Sequence, residues 1–150
     1  IVGEGVSVDA VVADFISGAA ETLSPDNDPD HWDVIEGQGS LMHASYAGVT
    51  LGLLHGSQPD AIVLCHEPVR PHMRGTPHIP MPGLQATIDA NIAAGRLFNP
   101  DIRCIGVSVN TSGLSAVDAA KFLTDTEAEL ELPCVDAYKD GAARLVDALS

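Results

Sequence analysis

Residues 61–66 read Ala-Ile-Val-Leu-Cys-His, a continuous apolar run that follows the turn Gln58-Pro59-Asp60 and precedes a proline-rich loop. An uninterrupted apolar run of this length is typical of a strand in a parallel sheet that is covered on both faces. Residues 102–109 and a short segment near Cys134-Val135 are predicted to form further strands. These runs indicate that the fold is built around a parallel sheet.

Helical patterns lie between the predicted strands. Apolar residues recur at helical spacing in the segments 8–23, 46–56 and 84–98. Ser115 and Asp118 form a capping box in front of a helix of about four turns, and a terminal helix is predicted from about Gly141. The alternation of strand and helix predicts an α/β three-layer sandwich with a mainly parallel sheet, formed by residues 1–150 as one domain.

A second strand-to-loop segment reads Trp32-Asp33-Val34-Ile35-Glu36-Gly37-Gln38-Gly39-Ser40-Leu41. It predicts a buried strand over residues 32–36 that delivers the Glu36 carboxylate to a ligand. The two glycines let backbone N–H groups approach an anion, and a carboxylate at a strand end often holds a metal ion or a water in nucleotide-binding proteins. The alternative interpretation is a tight strand-to-helix turn with a solvated Glu36.

Polar residues are concentrated in the loops that follow the three longer predicted strands. In a parallel sheet, ligands bind beyond the carboxyl ends of the strands, so these loops are the candidate site. Their polar residues and glycines are Gly37, Gly39, Ser40, His43, Ser45 and Tyr46 after the first, Glu67, Arg70, His72, Arg74 and His78 after the second, and Asn110, Thr111 and Ser112 after the third.

The loop of residues 70–78 reverses the sign of charge of the chain. It holds two of the five arginines and two of the six histidines between prolines, without one acid, in a chain of net charge −14. Arg offers a planar fork for carboxylate or phosphate, so the loop predicts an anion site that uses Arg70 and Arg74. The alternative is a surface loop whose arginines pair with neighbouring acids.

Two other kinds of chemistry are disfavoured by the spacing of the residues. His66, His72, His78 and Glu67 are competent zinc ligands, but their spacing fits no recognised zinc site, so no metal ligand is assigned. A serine nucleophile needs G-x-S-x-G, and Gly37-Gln38-Gly39-Ser40 places Ser40 outside that frame.

The composition excludes several classes of partner. A net charge of −14 with seven Lys and Arg provides no surface that neutralises phosphates, which argues against nucleic acid and anionic membrane as partners. No apolar run approaches the length of a membrane span, so a soluble protein is expected. The three cysteines share no ligand spacing and are expected to be buried, reduced thiols, which suits the cytoplasm.

The usual phosphate loop has no match in residues 1–150. Nothing fits G-x-x-x-x-G-K-[ST], and neither of the two lysines, Lys121 and Lys139, follows a glycine as that loop requires. The chain opens on Ile1-Val2-Gly3-Glu4-Gly5, which reads as the tail of a strand and its loop. We therefore expect the later portion of a longer protein, with the phosphate-loop segment upstream.

Four blocks, at residues 3–15, 34–41, 45–50 and 106–112, resemble the C-terminal part of a bacterial family of P-loop proteins that includes a D-glutamate N-acetyltransferase. The resemblance spans essentially the whole chain and implies a P-loop NTPase-like fold that lacks its phosphate-loop segment here, with a Rossmann-like N-terminal domain elsewhere in the protein. More distantly, the chain resembles dethiobiotin synthetase and related ATP-using ligases. That likeness implies that Glu36 helps to hold metal and substrate and that Asn110 contacts adenine.

The resemblance implies acetyl-CoA as donor and D-glutamate as acceptor. Glu36 or His43 would accept the amine proton, and the backbone of Gly37 and Gly39 would stabilise the oxyanion. The other residues expected to bind substrate or cofactor are Ser40, Tyr46, Arg70, Arg74, His78, Asn110 and Ser112. The alternatives are an ATP-dependent ligase or kinase that acts on a small carboxylate with Mg²⁺, and a non-catalytic nucleotide-binding module. A homo-oligomer that also contacts the missing N-terminal part of the same protein is expected.

Overall fold

The computed structural model describes residues 5–150, apart from the side chain of Asp9. The strand tail and loop expected at residues 1–5 therefore lie outside the described residues, except for Gly5. The chain divides into two compact units. Unit 1 comprises Ile1–Pro59 and Asp89–Asp101, and unit 2 comprises Asp60–Ile88 and Ile102–Ser150. The single domain expected for residues 1–150 stays a prediction.

Unit 1 is built around two helices, α1 (Ile16–Leu23) and α2 (Ala47–Ser57). Two short 3₁₀ turns, Val8–Ala10 and Ala13–Phe15, precede α1, so the helix predicted over residues 8–23 is regular only in its second half. Small residues let α1 and α2 approach closely. A Cβ atom at Gly56 would collide with the Ser17 carbonyl oxygen of α1, and buried Ala20 lies at the same contact.

Unit 2 contains a three-stranded parallel sheet, β1 (Ala61–His66), β2 (Arg103–Val109) and β3 (Cys134–Val135), in the order β1-β2-β3. His66 pairs with Val109, and Val107 pairs with Cys134. The strand ends therefore lie at one edge of the sheet. The predicted α/β fold with a parallel sheet is confirmed.

Four further helices follow α2 in the sequence: α3 (Leu84–Gly95), α4 (Ala116–Leu130), α5 (Ala137–Asp140) and α6 (Ala143–Asp147). The capping box is confirmed, because the Asp118 backbone N donates to Ser115 Oγ at 3.1 Å. The core of unit 2 is Val107, Val109 and Cys134, against which Leu64, Phe122, Leu123 and Leu130 pack. Within residues 5–150, no helix is long and apolar enough to cross a membrane.

The expectation that β1 is covered on both faces is wrong for the described residues. Val63 and Cys65 are exposed, whereas the alternate residues Leu64 and His66 are partly buried. The burial therefore alternates along the strand, because only one of its faces packs on the core that includes Leu64. All three cysteines are free, and Cys134 is buried, but the prediction of buried thiols fails at Cys65.

The strand predicted over residues 32–36 is also wrong. This segment has no regular secondary structure, and Trp32, Val34 and Ile35 are exposed, Val34 by 96%. A strand is stabilised by backbone hydrogen bonds to a neighbour and by packing of its side chains, and none of the described strands pairs with this segment. Apolar, β-branched composition alone does not form a strand.

Candidate functional site

A cleft of ≈ 480 Å³ opens in unit 2 where the three parallel strands end. We call it the carboxyl-edge cleft, and the residues that line it are Cys65, His66, Ser108, Val109, Asn110, Ser112, Asp136, Ala137, Tyr138 and Lys139. They come from the ends of β1 and β2, from the loop that follows β2, and from Asp136 and α5 after β3. The carboxyl edge was the position expected for a ligand site, and the volume is of the size that small ligands use.

Asn110 and Ser112 were predicted site residues, and the structure brings them together in the carboxyl-edge cleft. The Asn110 backbone N donates to the His66 carbonyl oxygen at 2.8 Å, which continues the pairing of β1 and β2 by one residue. The Asn110 side-chain oxygen accepts a hydrogen bond from the Ser112 backbone N at 3.1 Å. This bond fixes the orientation of the amide, whose nitrogen is a donor for a ligand.

Beside Asn110, a chain of three polar residues ties the ends of β2 and β3 together. Thr111, which is 1% exposed, donates from its hydroxyl and from its backbone N to Asp136 Oδ2. Lys139 Nζ donates to Thr111 Oγ1 at 2.6 Å and lies 3.5 Å from Asp136 Oδ2. Asp136 also caps α5, because its Oδ1 accepts from the Lys139 backbone N at 3.2 Å. The only ammonium group among the residues that line the cleft is therefore held in one place.

The surroundings of the cleft lower the pKa values of two of its residues, Asp136 and His66. The hydroxyl hydrogen bond from Thr111 is the main cause that lowers the pKa of Asp136 from its usual 3.8, against the opposing effect of burial. Burial, followed by the positive charge of Arg70, lowers the pKa of His66 from 6.5, so this imidazole is neutral at pH 7. His66 also stacks on Phe122, with ring centroids 5.8 Å apart. The cleft thus offers a neutral imidazole and a fixed cation.

Sequence reasoning missed Asp136, Tyr138 and Lys139. The rule that polar residues follow the carboxyl ends of strands applies to Asp136, which comes directly after β3. The short strand near Cys134-Val135 is predicted from the sequence, so this signal could have found Asp136. Thr111 was noticed as a polar loop residue, but its contact with Asp136, 25 residues further along the chain, follows only from the fold.

The arginine-rich loop does not line the carboxyl-edge cleft. It is a closed hairpin, because the Met73 backbone N donates to the Ile79 carbonyl oxygen at 3.0 Å and His72 bridges to Pro80. Arg70 forms an ion pair with Glu67 three residues earlier. Arg74 and His78 are exposed. The loop thus presents cationic side chains at its surface, and Arg70 is paired with Glu67.

The predicted residues of unit 1 form a tight turn in front of α2. Gly39 has φ +47°, and a Cβ atom there would meet Tyr46 at 2.5 Å, so the turn needs glycine at this position. Thr50 donates to the Gln38 carbonyl oxygen and to the Tyr46 carbonyl oxygen. Glu36, at the start of the turn, is exposed, and Gly37 next to it has open space beside it.

His43 is the buried residue of this turn, with 6% exposure. Its Nδ1 accepts a hydrogen bond from the Ser45 backbone N at 3.1 Å, so a neutral ring carries its proton on Nε2. Its ring packs on Tyr46 with centroids 4.6 Å apart. Ser40 Oγ accepts from the Met42 backbone N. These bonds give His43 and Ser40 structural roles in the turn beside any role in binding.

No group of three or more His, Cys, Asp or Glu side chains within residues 5–150 is arranged to hold a metal ion. The alternative of a zinc site made of His66, His72, His78 and Glu67 therefore has no support from the geometry of unit 2.

Comparisons with known proteins agree with the resemblance seen in the sequence. A family model described as the C-terminal P-loop domain of DUF1611, a domain of unknown function, matches residues 1–146. Two curated relatives, from Tritonibacter scottomollicae and a Pseudoalteromonas species, are each 53% identical to this chain and named D-glutamate N-acetyltransferase. The alignments cover 100% and 97% of this chain but 45% and 44% of the relatives. The chain thus spans less than half the length of these relatives.

A crystal structure of a DUF1611 family protein from Anabaena variabilis is similar in fold, with a TM-score of 0.87 and 36% sequence identity. The similarity covers 98% of this chain and 43% of that protein.

Proposed function

Because this chain belongs to the DUF1611 family of P-loop domains, we propose that it is part of an enzyme that transfers acetyl from acetyl-CoA to the amine of D-glutamate. The observation that carries the proposal is the 53% identity, over at least 97% of this chain, to two relatives named D-glutamate N-acetyltransferase. The activity belongs to the whole protein, of which this chain supplies the P-loop domain. Its place would be D-amino-acid catabolism in the cytoplasm.

The carboxyl-edge cleft supports the binding of the adenine nucleotide end of coenzyme A. Its volume of ≈ 480 Å³ suits a nucleoside, and Val109 and Ala137 supply apolar lining for a base. The oriented Asn110 amide offers a hydrogen-bond donor to a ring nitrogen. Tyr138, which is 99% exposed, adds an aromatic ring at the same cleft. A P-loop domain can thus hold coenzyme A through its nucleotide without hydrolysing ATP.

The proposed transfer needs three functions from the protein: a base for the amine, donors for the oxyanion and cations for the substrate carboxylates. The amine nitrogen of D-glutamate attacks the thioester carbon, a C–N bond forms, the C–S bond breaks, and the thiolate of coenzyme A leaves and is protonated. Glu36 accepts the amine proton, or His43 does once the hydrogen bond from the Ser45 backbone N to its Nδ1 is broken, and backbone N–H groups of Gly37 and Gly39 stabilise the oxyanion. Arg70 and Arg74 hold substrate carboxylates. The remaining proposed contacts are those of Ser40, Tyr46, His78 and Ser112.

The P-loop description of the family favours one second candidate, an ATP-dependent ligase or kinase that acts on a small carboxylate. This reaction would require Mg²⁺ on the nucleotide, and Glu36 would be the residue that helps to hold it.

Incubation of the complete protein with D-glutamate and either acetyl-CoA or Mg-ATP separates the two reactions. The acetyltransferase releases free thiol only when D-glutamate is present, and mass spectrometry then finds N-acetyl-D-glutamate. L-glutamate is the matched control for stereochemistry. ADP formation without thiol release would establish the ligase or kinase instead. Tight nucleotide binding with no turnover of any amino acid would indicate a non-catalytic module.

A further inference from the structure

Lys139 is one of two lysines in the chain, and the two differ in their surroundings. Lys121 forms an ion pair with Asp125 one turn along α4, on an exposed surface. Lys139 lines the carboxyl-edge cleft, where Thr111 Oγ1 accepts one of its protons at 2.6 Å. Its side chain remains 50% exposed. The Lys139 ammonium is held by a hydrogen bond and faces the cleft, so it can bind an anionic group of a ligand.

The carboxylate beside Lys139 is directed inward. Asp136 has 3% exposure, and its two oxygens accept hydrogen bonds from the hydroxyl and backbone N of Thr111 and from the backbone N of Lys139. The ammonium lies 3.5 Å from Asp136 Oδ2, longer than its hydrogen bond to Thr111. The hydrogen bonds therefore satisfy the Asp136 carboxylate inside the fold, and Lys139 is the exposed member of the pair.

We propose that Lys139, positioned by Thr111 and Asp136, binds the phosphomonoester on the 3′-oxygen of the ribose of coenzyme A and so selects coenzyme A over ATP. This inference rests on the proposed function, since it takes coenzyme A as the ligand of the cleft. The proposed contact of Asn110 with adenine would put the ribose in the same cleft, and the 3′-phosphate is the group near the base that coenzyme A has and ATP lacks. Lys binds phosphate as a point charge, without the planar geometry that Arg imposes.

A binding experiment on the complete protein tests the inference without turnover. Calorimetry compares adenosine 3′,5′-bisphosphate with adenosine 5′-diphosphate, which carry two phosphates each and differ in where the second is attached. We expect the 3′,5′-bisphosphate to bind about 10- to 100-fold more tightly, the range that a charge-assisted hydrogen bond gives. Equal affinities would overturn the proposal, and this comparison needs no variant.

Variants of Lys139 and Lys121 test whether Lys139 causes the preference for the 3′,5′-bisphosphate. In Lys139→Gln the preference for the 3′,5′-bisphosphate should disappear, while Lys139→Arg, which keeps the charge, should retain part of it. Lys121→Gln removes the same charge from the exposed ion pair on α4 and should retain all of it. A preference that survives in a folded Lys139→Gln protein would overturn the role of Lys139.

Kinetics with two acetyl donors, acetyl-CoA and dephospho-acetyl-CoA, separates this inference from the proposed function. The second donor lacks the phosphate on the ribose. Lys139→Gln should raise the KM for acetyl-CoA about 10- to 100-fold and leave the KM for dephospho-acetyl-CoA unchanged. Equal use of both donors by the unaltered enzyme would contradict the inference and leave the acetyltransferase standing. Absence of thiol release from either donor, with ADP formed from Mg-ATP, would contradict the proposed function itself.

Discussion

At the scale of single residues, Asp136 is a buried carboxylate whose two oxygens both accept hydrogen bonds. Its lowered pKa means that the folded state favours the ionised carboxylate. This contribution to the free energy of unfolding is fully present above pH 3.8, the usual pKa of Asp, and is lost as the pH falls through the lowered value. Stability at acid pH therefore reports directly on the contact between Thr111 and Asp136.

We predict that Asp136→Asn lowers the free energy of unfolding by about 1–3 kcal/mol at pH 7, because hydrogen bonds from Thr111 to a charged acceptor are lost. The loss should shrink as the pH falls below 3.8. Chemical denaturation at several pH values measures it. Asp140→Asn, the same change at an exposed position of α5, should have little effect at any pH. An equal loss in both variants would contradict the assigned role of Asp136.

The two interpretations of Arg70 lead to different kinetics. If Arg70 binds a substrate carboxylate, Arg70→Ala should raise the KM for D-glutamate about 10- to 100-fold, and Glu67→Gln should leave this KM near its normal value. If the ion pair with Glu67 is its whole role, both variants should lose at most about 1 kcal/mol of stability and keep normal kinetics. We expect the first pattern, and the second would remove Arg70 from the proposed anion site.

At the scale of elements, the packing of α1 on α2 depends on the absence of a side chain at Gly52 and at Gly56. Gly56 faces Ser17 and Ala20 of α1, whereas Gly48 on the same helix has open space beside it. We predict that Gly56→Ala destabilises the protein by about 1–3 kcal/mol, because the helices must separate. Gly48→Ala should be neutral or stabilising by up to about 1 kcal/mol through helix propensity. Urea denaturation measures both, and similar values for the pair would contradict the packing.

The sequence predicted elements well where one local pattern determines them. The apolar run at residues 61–66, the strand before Asn110 and the capping box at Ser115 all have the structure that their pattern predicts. Residues 32–36 also have a strand pattern, but a strand needs a neighbour to pair with, and no described strand provides one. Pattern specifies what a segment prefers, and pairing decides whether the preference is realised.

The sequence predicted where the candidate site lies but not which side chains contact one another there. The rule for parallel sheets placed Asn110 and Ser112 at the carboxyl edge, and the cleft lies there. The contact of Lys139 with Thr111 joins residues 28 positions apart, which no local pattern encodes. The arginines were expected at the same edge, but the arginine-rich loop, bridged between His72 and Pro80, does not line the carboxyl-edge cleft.

At the scale of the whole molecule, the excess of acids over bases is the dominant electrostatic feature. The chain has 21 Asp and Glu against seven Lys and Arg, so its charges repel one another in the compact state. We predict that the Tm at pH 7 rises as NaCl is raised from about 0.02 to 0.3 M, because salt screens this repulsion. KCl should act equally, since screening depends on ionic strength. A Tm that falls with both salts would show that attractive ion pairs dominate.

Hydrogen–deuterium exchange of the complete protein, with and without coenzyme A, tests most directly whether the carboxyl-edge cleft is the coenzyme A site. Bound coenzyme A should slow the exchange of backbone amides in residues 108–112 and 136–140, the segments that follow β2 and β3. Residues of α2, which do not line the cleft, should exchange at an unchanged rate. Slower exchange elsewhere in the protein, with both cleft segments unchanged, would contradict the account.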